Sequence, residues 1–337
     1  MSIFLNALAC QNSAHRPPIW IMRQAGRYAP SYQEIKKKYS LNQMFQSPEL
    51  IEQITLMPLH DLNPDAAILF ADILHIPTTL GFDVNFPQGG GIMIDPLIDH
   101  EDDFKKSQLV QDPREKLSFV FKAIRSIKQR IDVPLIGFAG GPFTVATYLF
   151  KDKAIKKWMV KAPNKVHALL QTICDQTIIF LKEQIKAGVD AIQIFESWAS
   201  LLTEQEFTSF AYPYLKQIFE AISGVPTLFF SRSTHLFLDQ IIKLNPSGIS
   251  FDEFLNIKKI DALVPKHIAI QGNLNPYILY GTFEQIATET DKMLLSMQHS
   301  NRYIVNLGHG IMRDIPFENA QFFTQRVKDF TKSLQGA

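Results

Sequence analysis

The sequence predicts an α/β fold: a single (β/α)8 TIM-type barrel with a deep active-site cleft at the C-terminal ends of its strands. Three observations predict it. Eight short apolar segments recur, each bounded by Pro, Gly or Asp, and most are continuously apolar, as parallel strands buried on both faces read. Amphipathic stretches with helix start signals separate them. Polar or ionisable residues follow the end of nearly every segment, and in a barrel those positions line one mouth. A doubly wound sheet is the alternative, but it would place a glycine fingerprint after the first strand, and none is present.

Taken in order, Ile3–Leu8 reads as a short docking helix. The eight strands are expected at Ile19–Met22, Ala66–Ala71, Val133–Phe138, Ala191–Phe195, Thr227–Phe230, Gly248–Phe251, His267–Ile270 and Tyr303–Val305. Ser47-Pro48 and Asp112-Pro113 place a cap residue before proline at the first helical position. Thr203 and Glu206 have the spacing of a capping box. Val166, Leu169, Leu170, Ile173, Thr177, Phe180 and Leu181 form one helical stripe that should stop near Gly188. Cys174 lies on that helix, where a packing role is expected. Phe82–Asp95, containing Gly89-Gly90-Gly91, reads as an added hairpin or ordered loop. No Lys-Ser/Thr follows those glycines and no helix starts there, so a turn is expected rather than a phosphate cradle.

At 337 residues and 46% hydrophobic, the chain has enough apolar surface for one large core, and residues 1–337 are expected to form one domain. A net charge of +1, from 34 basic and 33 acidic residues, argues against nucleic-acid binding, which needs a basic excess. The two cysteines, Cys10 and Cys174, lie far apart and form no metal-ligand pair, so a reduced, cytoplasmic setting is expected. No apolar run approaches the roughly 20 residues that span a bilayer, and no signal peptide is read at the N-terminus.

The stretch that organises the chemistry is Pro17–Pro30. It is apolar at first, then presents Arg23 and Arg27 four residues apart, with Gly26 between them and Tyr28 after. Arginine grips a carboxylate through two parallel hydrogen bonds and is permanently charged, so two forks at a strand end suit an anion. A solvated helical turn with both arginines on one face is the alternative. Past the other segments come Asp72; Gly140 to Thr144, leading to Tyr148; Glu196-Ser197; Ser231-Arg232; Asp252; Gln271-Gly272-Asn273; and Gly308-His309-Gly310. Together they describe a wide polar pocket, cationic on one side, with at least one carboxylate. Asp72 has a second reading as a cap for the segment Ile73–Leu80. Tyr148 has one as a core or rim residue, and His309 one as a turn residue between glycines.

The run Trp20-Ile21-Met22-Arg23-Gln24-Ala25-Gly26-Arg27-Tyr28-Ala29-Pro30, with Tyr32 two residues on, resembles the N-terminal signature of the uroporphyrinogen decarboxylase family. Phe70-Ala71-Asp72-Ile73-Leu74 resembles the segment of its central aspartate. Gly141-Pro142-Phe143-Thr144 with Tyr148 resembles that of its active-site tyrosine. Phe195-Glu196-Ser197, Gln271-Gly272-Asn273 and Asn306-Leu307-Gly308-His309-Gly310 match further motifs, so the likeness runs in order from Trp20 to Asn319. Departures fall at Asn275, Glu253, Ser231-Arg232 and Phe150–Lys157, where the family more often has Asp, Trp, a Lys-Gly type sequence and a glycine-rich turn.

The resemblance implies a cofactor-free, metal-free carboxy-lyase of porphyrin and heme biosynthesis. Its substrate would be uroporphyrinogen, a macrocycle with four central pyrrole N–H groups and eight peripheral carboxylates. It implies Asp72, Arg23 and Tyr148 as catalytic residues, and Arg23, Arg27, Asp72, Tyr148, Ser197 and His309 as substrate-binding residues. It also implies a homodimer meeting at the active-site face. The rivals are a corrinoid-dependent methyltransferase, whose thiol-activating members need a Cys/His zinc site that this chain lacks, and a non-catalytic tetrapyrrole carrier.

Overall fold

The structure is a computed structural model describing residues 2–87, 90–108 and 110–330. After a short strand β1 (Ala67–Ile68) comes an antiparallel hairpin of β2 (Asp83–Asn85) and β3 (Met93–Asp95). Then follow β4 (Leu135–Gly140), β5 (Ala191–Phe195), β6 (Thr227–Phe230), β7 (Gly248–Ser250), β8 (Ala269–Leu274) and β9 (Tyr303–Leu307). β1 and β4–β9 form one parallel sheet whose spatial order follows the chain. Helices connect successive strands, and a continuous apolar core runs from Phe4 to Phe330. β4, β5, β6, β7, β8 and β9 are buried at every residue, as parallel strands covered on both faces are.

The first expected strand is corrected. Ile19–Met22 is reduced to a single parallel bridge between Ile19 and Val305 of β9. The Trp20 amide donates to the Val305 carbonyl (3.3 Å), and the Val305 amide to Pro18 (2.8 Å). On the other side the Asp65 amide donates to the Ile19 carbonyl (2.7 Å), so this segment joins β9 to the entry of β1. Two causes keep it short. Pro17 and Pro18 have no N–H to add to a ladder. Beyond Trp20, side chains take the backbone donors: Gln24 Oε1 accepts from Ile21 (3.2 Å) and Asn306 Oδ1 from Met22 (3.0 Å). β1 is curtailed similarly, where Thr55 Oγ1 accepts the Phe70 amide at 2.9 Å.

The local signals fare better. Ile3–Leu8 is a helix that buries Phe4, Ala7 and Leu8. Ser47 caps Pro48–Asp61, Asp112 caps Pro113–Lys116, and Thr203 with Glu206 makes a complete capping box. The striped helix, Pro163–Ala187, buries its predicted face and ends at Gly188 with φ +117°. Cys174 is buried in it, and burial pushes its thiol up to about 12, which makes it unreactive. The same helix approaches β4 closely because Gly137 has no side chain: a Cβ there would lie 2.4 Å from Gln184 Oε1. Gln184 fills that space and bonds both the amide and the carbonyl of Phe138 (3.0 and 2.9 Å). The expected hairpin is present, with Gly90 and Gly91 at φ +93° and +89°; Gly89 lies outside the described residues. No helix among the described residues is long and apolar enough to cross a membrane.

Inside the barrel a chain of polar groups ties strands together. Trp20 Nε1 donates to Gln271 Oε1 (2.7 Å), and Gln271 Nε2 donates to Ser250 Oγ (2.5 Å) and Gln193 Oε1 (3.3 Å). All three polar partners are buried, and each buried donor needs its acceptor.

Candidate active site

Arg23 stands where the first segment leaves the barrel, and it is no helical residue. Its φ is +65°, the left-handed region, and the next helix begins only at Pro30. That excludes the solvated helical turn. The preceding residue is pinned at both ends, since Asn306 accepts the Met22 amide and the Met22 carbonyl accepts the Ile311 amide at 3.0 Å. The stem of Arg23 lies against Gly310, where a Cβ would come within 2.5 Å of Cδ and 2.9 Å of Cγ. Gly310 is thus a seat for Arg23, a role the sequence motif did not disclose.

The cations here lack counter-ions. Arg16, Arg130, Arg302 and Arg326 are paired with Asp65, Glu52, Asp261 and Asp291. Arg23, Arg27 and Arg232 have no carboxylate partner among the described residues. Arg23 and Arg232 are exposed and Arg27 is half-buried. Forks left open at a barrel mouth are ready to bind an external anion.

Asp72 follows β1. One carboxylate oxygen, Oδ1, accepts the Leu74 amide at 2.8 Å, so the cap reading is partly realised, as a turn ahead of the short helix His75–Thr79. Among the described residues no hydrogen bond to Oδ2 is formed. Burial raises its pKa to about 6, against the opposing pull of the Leu74 amide and the Arg23 charge. The Asp72 amide in turn donates to His75 Nε2 at 3.4 Å, and burial lowers the His75 pKa to about 4, keeping that nitrogen an acceptor. The carboxylate is therefore mostly ionised at neutral pH and set in fixed backbone geometry.

His309 lies in the same electrostatic field. Burial first, then the Arg23 charge, holds its imidazole below the ordinary value; Arg232 adds to this and Asp252 opposes it. At neutral pH it is an uncharged donor or acceptor, its Nδ1 3.4 Å from the Gly310 carbonyl.

Tyr148 and Ser197 form a second bank, past β4 and β5. Both are half-buried, and neither hydroxyl has a hydrogen-bond partner among the described residues. The Tyr148 ring meets the Trp198 indole edge-on at 5.9 Å. Tyr148 and Asp72 are not hydrogen-bonded to each other. Asp72 lies in the turn after β1 and Tyr148 in the helix Pro142–Leu149 after β4, with its ring turned onto Trp198.

Several mouth residues read from the sequence are scaffolding. Glu196 is fully buried and caps the helix Pro142–Leu149, its carboxylate accepting the Thr144 amide (2.5 Å) and the Phe143 amide (3.3 Å). Gly141 makes room for it, since a Cβ there would lie 2.2 Å from Glu196 Oε2. Asp252 is buried and accepts the Ser233 amide at 2.5 Å, fixing the loop that carries Arg232. Asn273 donates to the carbonyls of Asp252 (2.7 Å) and Leu255 (2.6 Å). These are contacts across 18 to 53 residues of chain, invisible to local pattern.

The structure therefore gathers Arg23, Asp72 and His309 into one field, adds Arg232 to it, and sets Tyr148 and Ser197 on a second bank. Arg27 stands on the loop before Pro30, where its charge acts on Tyr32. The fold and site together define an α/β-barrel protein whose mouth carries arginines without counter-ions among the described residues and one carboxylate, Asp72.

Comparison with known proteins carries this further. The family model described as uroporphyrinogen decarboxylase (URO-D) matches residues 1–330. A uroporphyrinogen decarboxylase of Protochlamydia amoebophila is 39% identical over 332 residues, covering 96% of this chain and 91% of that protein. One from Christiangramia forsetii is 38% identical, covering 94% and 95%. Among solved structures, a methyltransferase from Methanosarcina mazei superposes with a TM-score of 0.82 at 19% identity, covering 98% and 99%, a likeness of fold alone. This chain belongs to the uroporphyrinogen decarboxylase family.

Proposed function

We propose that this protein decarboxylates the four acetate side chains of uroporphyrinogen III to methyl groups, giving coproporphyrinogen III and four CO2, without metal or prosthetic group. The observation that carries this is Asp72: one carboxylate with an oxygen that has no hydrogen-bond partner among the described residues and a pKa of about 6, in the field of Arg23, which has no counter-ion among them. An ionised carboxylate only accepts hydrogen bonds, so Asp72 would receive the pyrrole N–H groups at the centre of the macrocycle. Arg23, Arg27, Tyr148, Ser197 and His309 would bind the peripheral carboxylates.

The chemistry follows from the pyrrole. Protonation of a ring carbon makes the ring cationic. The electron pair of the breaking C–CO2 bond then flows into that ring and CO2 leaves. A proton adds to the resulting exocyclic carbon to give methyl, and the ring proton is lost, so one proton replaces each CO2. The negative charge of Asp72 would stabilise the cationic ring as it develops, an interaction stronger in the transition state than in the ground state. Arg23 would hold the reacting acetate through its guanidinium fork.

We further propose that residues 1–337 act as one domain and that the protein works as a cytoplasmic homodimer joined at the mouth face. Leu236 and Phe254, 55% and 62% exposed on the loops after β6 and β7, support that face. Sedimentation equilibrium tests the dimer, and a monomer at micromolar concentration would refute it.

The test of function is an anaerobic assay with uroporphyrinogen III, stopped by oxidation and resolved by chromatography. Successive hepta-, hexa-, penta- and tetracarboxyl porphyrins are expected. Tight binding without CO2 release would instead identify a carrier.

A further inference from the structure

Beside Tyr148 and Ser197 the chain makes an unusual excursion. Asp152 and Lys153 are consecutive non-glycine residues in the left-handed region, with φ +52° and +55°. Side chains seldom adopt that conformation, and two in succession persist only where surrounding contacts hold them. The neighbouring lysines have ordinary partners: Lys151 pairs with Asp99 at 2.7 Å and Lys156 with Glu206 at 2.9 Å. Lys153 has no carboxylate partner among the described residues. Its ammonium is instead held 4.2 Å from the centre of the Trp198 ring and 5.4 Å from that of Tyr148. Those rings belong to the second bank itself, one being a site residue and the other the immediate neighbour of Ser197. The side chain is exposed, so its charge is open to a ligand.

We propose that Lys153 is a specificity-determining residue that binds a peripheral carboxylate of the polycarboxylate substrate from the Tyr148–Ser197 side. This rests on the decarboxylase reading. The Trp198 and Tyr148 rings hold the ammonium on the bank that carries the two unpartnered hydroxyls, and it adds a positive charge there for a substrate carboxylate. It complements the arginines of the opposite bank: Arg23 and Arg27 hold one edge of the macrocycle and Lys153 the other.

The test compares wild type, Lys153→Met and Lys153→Arg in the same anaerobic assay, with thermal denaturation of each. Methionine keeps the stem on the indole and removes the charge. For Lys153→Met, KM for the octacarboxylate rises about three- to tenfold, kcat stays within twofold, and melting is unchanged. Lys153→Arg restores KM to within twofold of wild type. The salt dependence of KM is shallower in Lys153→Met, a readout a purely structural lysine would not move. An unmoved KM in Lys153→Met, or a fall in kcat alone, overturns the proposal while an active wild type leaves the decarboxylase reading standing. A wild type that binds and turns over no uroporphyrinogen overturns both.

Discussion

Gly310 and Arg23 are in such close register that no other residue fits at 310 without moving the arginine: a Cβ would lie 2.5 Å from Arg23 Cδ. The Arg23 stem is flexible, so Gly310→Ala should leave the fold intact and displace the guanidinium. We expect kcat/KM to fall at least tenfold, with melting within a few degrees of wild type. Steady-state kinetics beside calorimetry checks this; wild-type kinetics would mean that Arg23 tolerates displacement.

Asp72→Asn should remove most turnover, at least a hundredfold, because an amide neither balances a cationic ring nor accepts at both atoms. Its fold should survive, since the amide oxygen can still accept the Leu74 N–H. In wild type, the acid limb of kcat/KM should break near pH 6, where Asp72 takes up its proton. An unchanged rate in a folded Asp72→Asn protein would show the central role misassigned.

Arg27→Ala should raise KM about tenfold or more and lower kcat much less, as loss of a charge-assisted carboxylate contact predicts. The comparison of KM with kcat decides it, and an unaltered KM would remove Arg27 from the substrate.

Glu196 predicts a pH dependence of stability. Burial raises its pKa to about 7, against the opposing hydrogen bonds from Thr144 and Phe143, while the unfolded chain has the ordinary value of 4.5. Between those values the folded protein keeps a proton that the unfolded chain has lost. Its contribution to stability therefore falls as pH rises from about 4.5 to 7 and levels above that. The size is of the order of 3 kcal/mol for a fully buried group. Glu196→Gln cannot ionise, so the stability difference between wild type and variant should shift in favour of the variant across that window. Denaturant titrations at pH 5 and pH 8 measure it; a pH-independent difference would mean that Glu196 stays ionised throughout.

What was legible in the sequence depended on how far the controlling contact lies along the chain. Caps such as Ser47, Asp112 and the Thr203–Glu206 box act within three residues and were read correctly. The seven strands of the parallel sheet were readable because their largely apolar runs leave few alternatives. The truncated first strand was not, because Asn306, which takes the Met22 amide, lies 284 residues away. Asp72, Arg23 and His309 were found as mouth residues, but Glu196 and Asp252 were read the same way, although they brace neighbouring loops. Position past a strand end marks the mouth; it does not distinguish a side chain facing solvent from one turned inward to backbone amides. Lys153 carried only a weak local signal, a lysine-rich turn without glycine after Tyr148.

The single bridge at Ile19 gives the barrel a seam. The stave that closes it, held by Val305 on one side and Asp65 on the other, is continuous with Arg23 and Arg27. Opening the seam would therefore carry both arginines with it. On the proposed function, a polyanion bridging these arginines to the Tyr148–Ser197 side would act as a hoop around the staves, and mass action would make its affinity part of the cohesion of the barrel. Amide exchange at Trp20 and Val305 should slow when such a ligand binds, while amides deep in the helix Pro163–Ala187 exchange as before.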